Sequence, residues 1–165
     1  MPTTDFNLEQ MMKTLASQEV EGYTFYEKVA AAATNEKTKN AFLKYAKDER
    51  RHEEFYNKQA KKYAGKVVQI EQEDSDFINM LLSTPNPIKL AEQSSEGKKM
   101  FDKEQAEKIA EKLESDTIML LSQIMSASPE LAEEKALRDA LREERFHLTS
   151  IRQSQADYLY GHMML

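Results

Sequence analysis

Glu19, Glu49 and His52 each recur 95 positions later, as Glu114, Glu144 and His147. Two Glu-x-x-His motifs result, Glu49-Arg50-Arg51-His52 and Glu144-Arg145-Phe146-His147, and a lone Glu precedes each by 30 residues. Glu and His three apart on a helix project to the same face. Four carboxylates and two imidazoles are the ligand set of a two-metal site built inside a four-helix bundle. In that reading Glu49 and Glu144 bridge the two ions, Glu19 and Glu114 are terminal ligands, and His52 and His147 bind one ion each. With both histidines neutral the six residues carry −4, which two divalent cations cancel.

The competing explanation is that these glutamates pair with Lys or Arg or lie on a solvated face. Lys47, Arg50, Arg51, Arg142 and Arg145 offer cations, but on the outward side of the helices. An ionised carboxylate buried without a partner costs several kcal/mol, and four converging ones repel one another. Protonation relieves part of this; metal ions relieve it more fully. Oxygen and imidazole donors without thiolates suit Fe, Mn or Zn.

Such a site needs long amphipathic helices. Gly and Pro number four each in 165 residues, and helix formers dominate. A first helix is expected over about residues 5–33, capped by Asp5 or Thr4, with a stripe of Leu8, Met12, Leu15, Glu19, Gly22, Tyr26 and Val29 or Ala30. Thr34-Asn35 opens a second over about 35–64, with Phe42, Tyr45, Glu49, His52, Tyr56, Gln59 and Tyr63 on one face and Gly65 at its end. Residues 66–101 read as a long crossover: Val67–Ile70 extended, a short helix at Asp76–Leu82, a stop at Pro85-Asn86-Pro87 and a turn at residues 94–97. Asp102 with Gln105 predicts a capping box for a third helix over 103–127, with Ala106, Ala110, Glu114, Thr117, Leu121 and Ile124 on its stripe. Ser128 and Pro129 open a fourth over 129–160, striped by Leu137, Ala140, Glu144, His147, Ile151, Ser154 and Tyr158. The tail from Gly161 is expected to fray, with His162 at the surface. The expectation is one all-α domain over residues 1–165, because neither half has enough helices for its own core.

Every proposed ligand interrupts an apolar stripe. Gly22 and Thr117, one turn beyond Glu19 and Glu114, would leave room for a small oxidant. Close helix packing explains Gly22 equally well. Tyr26 lies on the face of Glu19 and is the candidate catalytic residue, through a hydrogen bond to a ligand carboxylate; a plain core tyrosine is the alternative.

Other chemistries are excluded or disfavoured. With no cysteine there is no disulfide, thiolate zinc site, Cys-ligated iron–sulfur centre or Cys nucleophile. A net charge of −6 disfavours nucleic acid as a partner. No apolar run approaches the roughly 18 residues of a membrane span. The start, Met1-Pro2-Thr3-Thr4-Asp5, is not that of a secretion signal, so a cytoplasmic location is expected.

The segments Glu19-Val-Glu-Gly-Tyr-Thr-Phe-Tyr26, Asp48-Glu-Arg-Arg-His52, Glu114-Ser-Asp-Thr-Ile118 and Glu143-Glu-Arg-Phe-His147 resemble the rubrerythrin family of the ferritin-like superfamily. The resemblance covers about residues 6–158. It implies a ferritin-like four-helix bundle with a long crossover between its second and third helices. It also implies a non-haem di-iron centre, two Fe ions held by Glu19, Glu49, His52, Glu114, Glu144 and His147. The activity implied is reduction of hydrogen peroxide or dioxygen, with an external electron-donor protein, here in an expected homodimer. This sequence departs from the family in lacking a Cys-ligated rubredoxin segment. It also has Thr117 where typical members place a further Glu, and Leu121 where the internal repeat would place a second Tyr26. Iron storage, a dimanganese catalase-like activity and a helical adaptor with a vestigial site are the competing readings.

Overall fold

The computed structural model describes residues 1–94 and 97–163, with the backbone alone for Tyr158 and His162. Among them the four long helices are α1 (Leu8–Ala32), α2 (Glu36–Lys62), α5 (Lys103–Ser126) and α7 (Lys135–Met163). The crossover holds α3 (Gln72–Ser83), α4 (Pro87–Gln93) and a 3-10 turn at Gly97–Lys99, and a short α6 (Pro129–Glu133) precedes α7. Helix α1 packs chiefly on α2, and α5 on α7. The fold is an all-α, ferritin-like bundle, as expected.

The start of α1 differs from the sequence expectation. Thr3–Asn7 is not helix but strand β1, paired antiparallel with β2 (Val67–Glu71), Thr3 opposite Glu71 and Asn7 opposite Val67. The alternation of Thr-Asp-Phe-Asn buries Phe6 against the core, beside the inward Val68 and Ile70. Neither Thr4 nor Asp5 caps the helix. Asn7 does, its Oδ1 accepting from the Gln10 amide at 2.9 Å.

Asn35 caps α2 as expected, accepting from the Thr38 amide at 2.8 Å. The helix stops at Lys62, and Gly65 then takes the left-handed conformation, φ 72°. In the crossover, α3 begins four residues earlier than expected, and Asn86-Pro87 starts a helix as well as ending one, because Asn86 accepts from the Lys89 amide. Ser95 and Glu96 of the expected turn lie outside the described residues.

Two further expectations fail. Asp102 occupies the N-cap of α5, but its side chain makes no capping hydrogen bond; its backbone engages instead, the carbonyl accepting from the Ala106 amide and the amide donating to the Lys99 carbonyl. The fourth helix is broken at Glu134, whose backbone turns extended. There the Glu134 carboxylate is held by the Tyr63 hydroxyl (2.5 Å) and Lys66 Nζ (2.7 Å), and Leu131 is fully buried. Anchorage to the end of α2 outweighs helix continuity. Asn35→Ala should therefore lower stability by about 1 kcal/mol, whereas Asp102→Ala should stay within about 0.5 kcal/mol of wild type. Urea unfolding of both variants checks the contrast.

The core is in two parts. One contains Leu8, Met12, Leu15, Tyr56, Leu121, Ile124 and Leu137. The other contains Phe25, Tyr26, Val29, Phe42, Tyr45, Ala110 and Ile151. Along each of the four long helices, the switch from one part to the other falls at Glu19, at Glu49 and His52, at Glu114, or at Glu144 and His147. A polar layer crosses the bundle at that level.

Candidate metal centre

All six expected ligands meet in this layer, none more than 6% exposed. Each histidine presents Nδ1 to glutamates of both halves. His147 Nδ1 lies 3.0 Å from Glu49 Oε1 and 3.8 Å from Glu114 Oε1. His52 Nδ1 lies 3.4 Å from Glu144 Oε1, 3.7 Å from Glu19 Oε2 and 3.9 Å from Glu49 Oε2. The two rings stack with centroids 4.9 Å apart. Three groups have ligand atoms within 4.8 Å of one another: Glu19–His52–Glu144, Glu114–Glu144–His147 and Glu49–His52–His147. Glu144 belongs to two groups and Glu49 reaches both histidines, while Glu19 and Glu114 belong to one each.

The layer is unsatisfied by protein alone. Glu49 Oε1, Glu144 Oε1 and both nitrogens of His52 and His147 are buried without a hydrogen-bond partner. Buried polar atoms are rarely left so. Cations at the centre would engage both oxygens and both Nδ1 atoms together, so the residues fit a metal pair.

Titration in the metal-free layer reflects the same crowding. Burial first, then Glu144, pushes Glu19 up to about 8. Burial and neighbouring glutamates push Glu49 and Glu114 well above the carboxylate range. Burial opposes ionisation of Glu144 too, but His52 outweighs it and holds Glu144 below its ordinary value. Burial likewise opposes the charge on His52, yet Glu144 and Glu49 raise it to about 8.

A second pair of acids stands outside the first. Asp48 Oδ2 is 3.5 Å from His147 Nε2, and Glu143 Oε2 is 3.7 Å from His52 Nε2. Arg51 spans both, 3.0 Å from Glu143 and 3.5 Å from Asp48. Facing the outer nitrogens, these carboxylates favour the ring orientation that turns Nδ1 inward. Sequence reasoning assigned them no role. The available signal was the same 95-residue offset, each acid standing immediately before its Glu-x-x-His motif.

Tyr26 donates its hydroxyl to Glu114 Oε1 at 3.0 Å, so it is bonded to a candidate ligand. Tyr56, one turn beyond His52, is equally buried, and its hydroxyl has no partner. A cavity of about 170 Å³ reaches Glu19 and Glu114 between α1 and α5, past Gly22 and Thr117 and beneath Pro85 and Pro87. A Cβ on Gly22 would sit 3.6 Å from Glu49 Cγ, an ordinary contact, so packing there does not demand glycine. Thr117 turns its hydroxyl back to the Leu113 carbonyl at 3.1 Å. The side chain of His162 lies outside the described residues.

A family model described as Rubrerythrin matches residues 11–154. The chain belongs to the rubrerythrin family. The matched span contains all six candidate ligands, Tyr26 and both outer acids. Membership in the rubrerythrin family implies metal binding, and these Glu and His groups are able to provide it. Comparison with curated proteins and with solved structures returns no match. Among the described residues no helix is long and apolar enough to cross a membrane.

Proposed function

We propose that this rubrerythrin-family protein holds two iron ions on Glu19, Glu49, His52, Glu114, Glu144 and His147. It would use them to reduce hydrogen peroxide or dioxygen. The observation that carries the reading is the convergence of unpartnered buried Glu and His atoms, with Glu19, Glu49, Glu114 and Glu144 lining a cavity that reaches the layer. When bound, an iron pair supplies the two electrons that, with two protons, convert peroxide to two waters. Glu49 and Glu144 would hold the ions between the two halves, and the Tyr26 hydroxyl, donating to Glu114 Oε1, orients that carboxylate. Gly22 and Thr117 leave the approach open, and the Pro85–Pro87 segment limits it to small species. We propose that electrons return from a separate donor protein. We propose a homodimer as the working unit.

The test is stopped-flow mixing of reduced, iron-loaded protein with peroxide, with light scattering on the same preparation. Oxidation faster than that of Fe(II) free in buffer, in a dimer, supports the enzyme reading. A rate no greater than that of free Fe(II) removes it and leaves metal binding alone. A shell of many subunits would favour storage.

A further inference from the structure

The internal repeat is faithful at the six candidate ligands and unfaithful just beyond them. Tyr26 donates to Glu114. Its counterpart 95 residues on is Leu121, fully buried and without a donor. Tyr56, whose hydroxyl is buried without a partner, corresponds to Ile151, also buried. Both phenols therefore come from the first half, and the second half supplies neither. Among the described residues Glu114 is the candidate ligand that accepts from a phenol, whereas Glu19 has the Glu49 carboxyl beside it and no phenol.

The geometry points to two unequal metal positions, in which Tyr26, as a positioning residue, makes the Glu114–Glu144–His147 position fill first and the Glu19–His52 position fill second. The inference rests on the two-metal reading. A carboxylate already held in one rotamer loses less freedom when it binds an ion, and a partner that orients a ligand is worth about 10–100-fold in metal affinity. Glu144 serves both positions, so the difference between them lies in the terminal ligands.

Stripped protein titrated with Co(II), followed by its visible bands, tests this without any turnover. Wild type should bind one ion tightly and a second at least about tenfold more weakly. Tyr26→Phe removes only the hydroxyl and should weaken the first phase by about 10–100-fold, so that the phases merge. Glu19→Gln should keep the tight phase and lose the weak one; Glu114→Gln should do the reverse. Far-ultraviolet circular dichroism confirms that each variant remains helical. Two equal affinities in wild type overturn the inference. So does a Tyr26→Phe protein whose first phase is unchanged. Fewer than two Co(II) per wild-type chain would instead remove the two-metal reading beneath it.

Discussion

Glu144→Ala and Glu49→Ala proteins should fail to retain two metal ions per chain, while Glu19→Ala should retain one. Glu144 contributes to both the Glu19–His52 group and the Glu114–His147 group, and Glu49 approaches both histidines. Removing either strips both positions of a shared oxygen. Removing Glu19 leaves Glu114, Glu144, Glu49 and His147 around one ion. The expected loss for a bridging variant exceeds the roughly 10–100-fold attached to orienting partners, because a ligand itself is gone. Metal content after loading and desalting reads the result directly. Two ions retained by Glu144→Ala would show that the shared carboxylate has been misassigned.

The stripped protein should lose stability as pH rises from about 5 to 8, and metal should abolish that loss. Glu19 has a folded pKa raised from 4.5 to about 8, so the unfolded chain ionises there first. Its stabilising contribution is complete below 4.5 and is gone above about 8. His52, raised from 6.5 to about 8, stabilises below 6.5 and ceases to do so as pH passes 8. The two groups share a sign, and Glu49 and Glu114 act in the same direction. Glu144, held low, acts oppositely: its contribution is present above 4.5 and is lost in acid. The loss toward pH 8 is on the order of a few kcal/mol. A metal at a hundredfold its dissociation constant restores about 2.7 kcal/mol. Binding should release protons, since the carboxylates must ionise to bind. Melting temperatures of stripped and Mn(II)-loaded protein across this window decide it. A stripped protein whose melting temperature is flat from pH 5 to 8, or indifferent to Mn(II), Fe(II) and Zn(II), would contradict the account.

The site was more legible in the sequence than the fold around it. Glu19, Glu49, His52, Glu114, Glu144 and His147 stand where an amphipathic stripe calls for apolar residues, so the repeat marks them without any structure. The interruptions were harder. Nothing local in residues 129–163 announces a break at Glu134, because the break depends on Tyr63 and Lys66, 71 and 68 residues earlier in the chain. Likewise Thr3–Asn7 looks like a capped helix start until Val67–Glu71 offers it a partner. The Asp102 box satisfied the sequence rule and still made no side-chain bond. A motif specifies what a cap can do; the packed surroundings decide whether it does so. Asp48 and Glu143 were visible in the repeat, but their role depends on which imidazole nitrogen faces in.

The pairing of β1 with β2 has a consequence for solubility. A two-stranded ribbon consists entirely of edges, and unpaired edges are templates for another chain. Here each strand is only five residues long, and its outward positions include Asp5, Gln69 and Glu71, while Phe6, Val68 and Ile70 turn inward. Shortness and charge make each edge a poor template. Residues 3–7 are therefore the cover of Val68 and Ile70 as well as the lead-in to α1. A chain shortened to begin at Leu8 would keep every candidate ligand yet present a bare apolar strand, and aggregation, not loss of the metal layer, would be its characteristic failure.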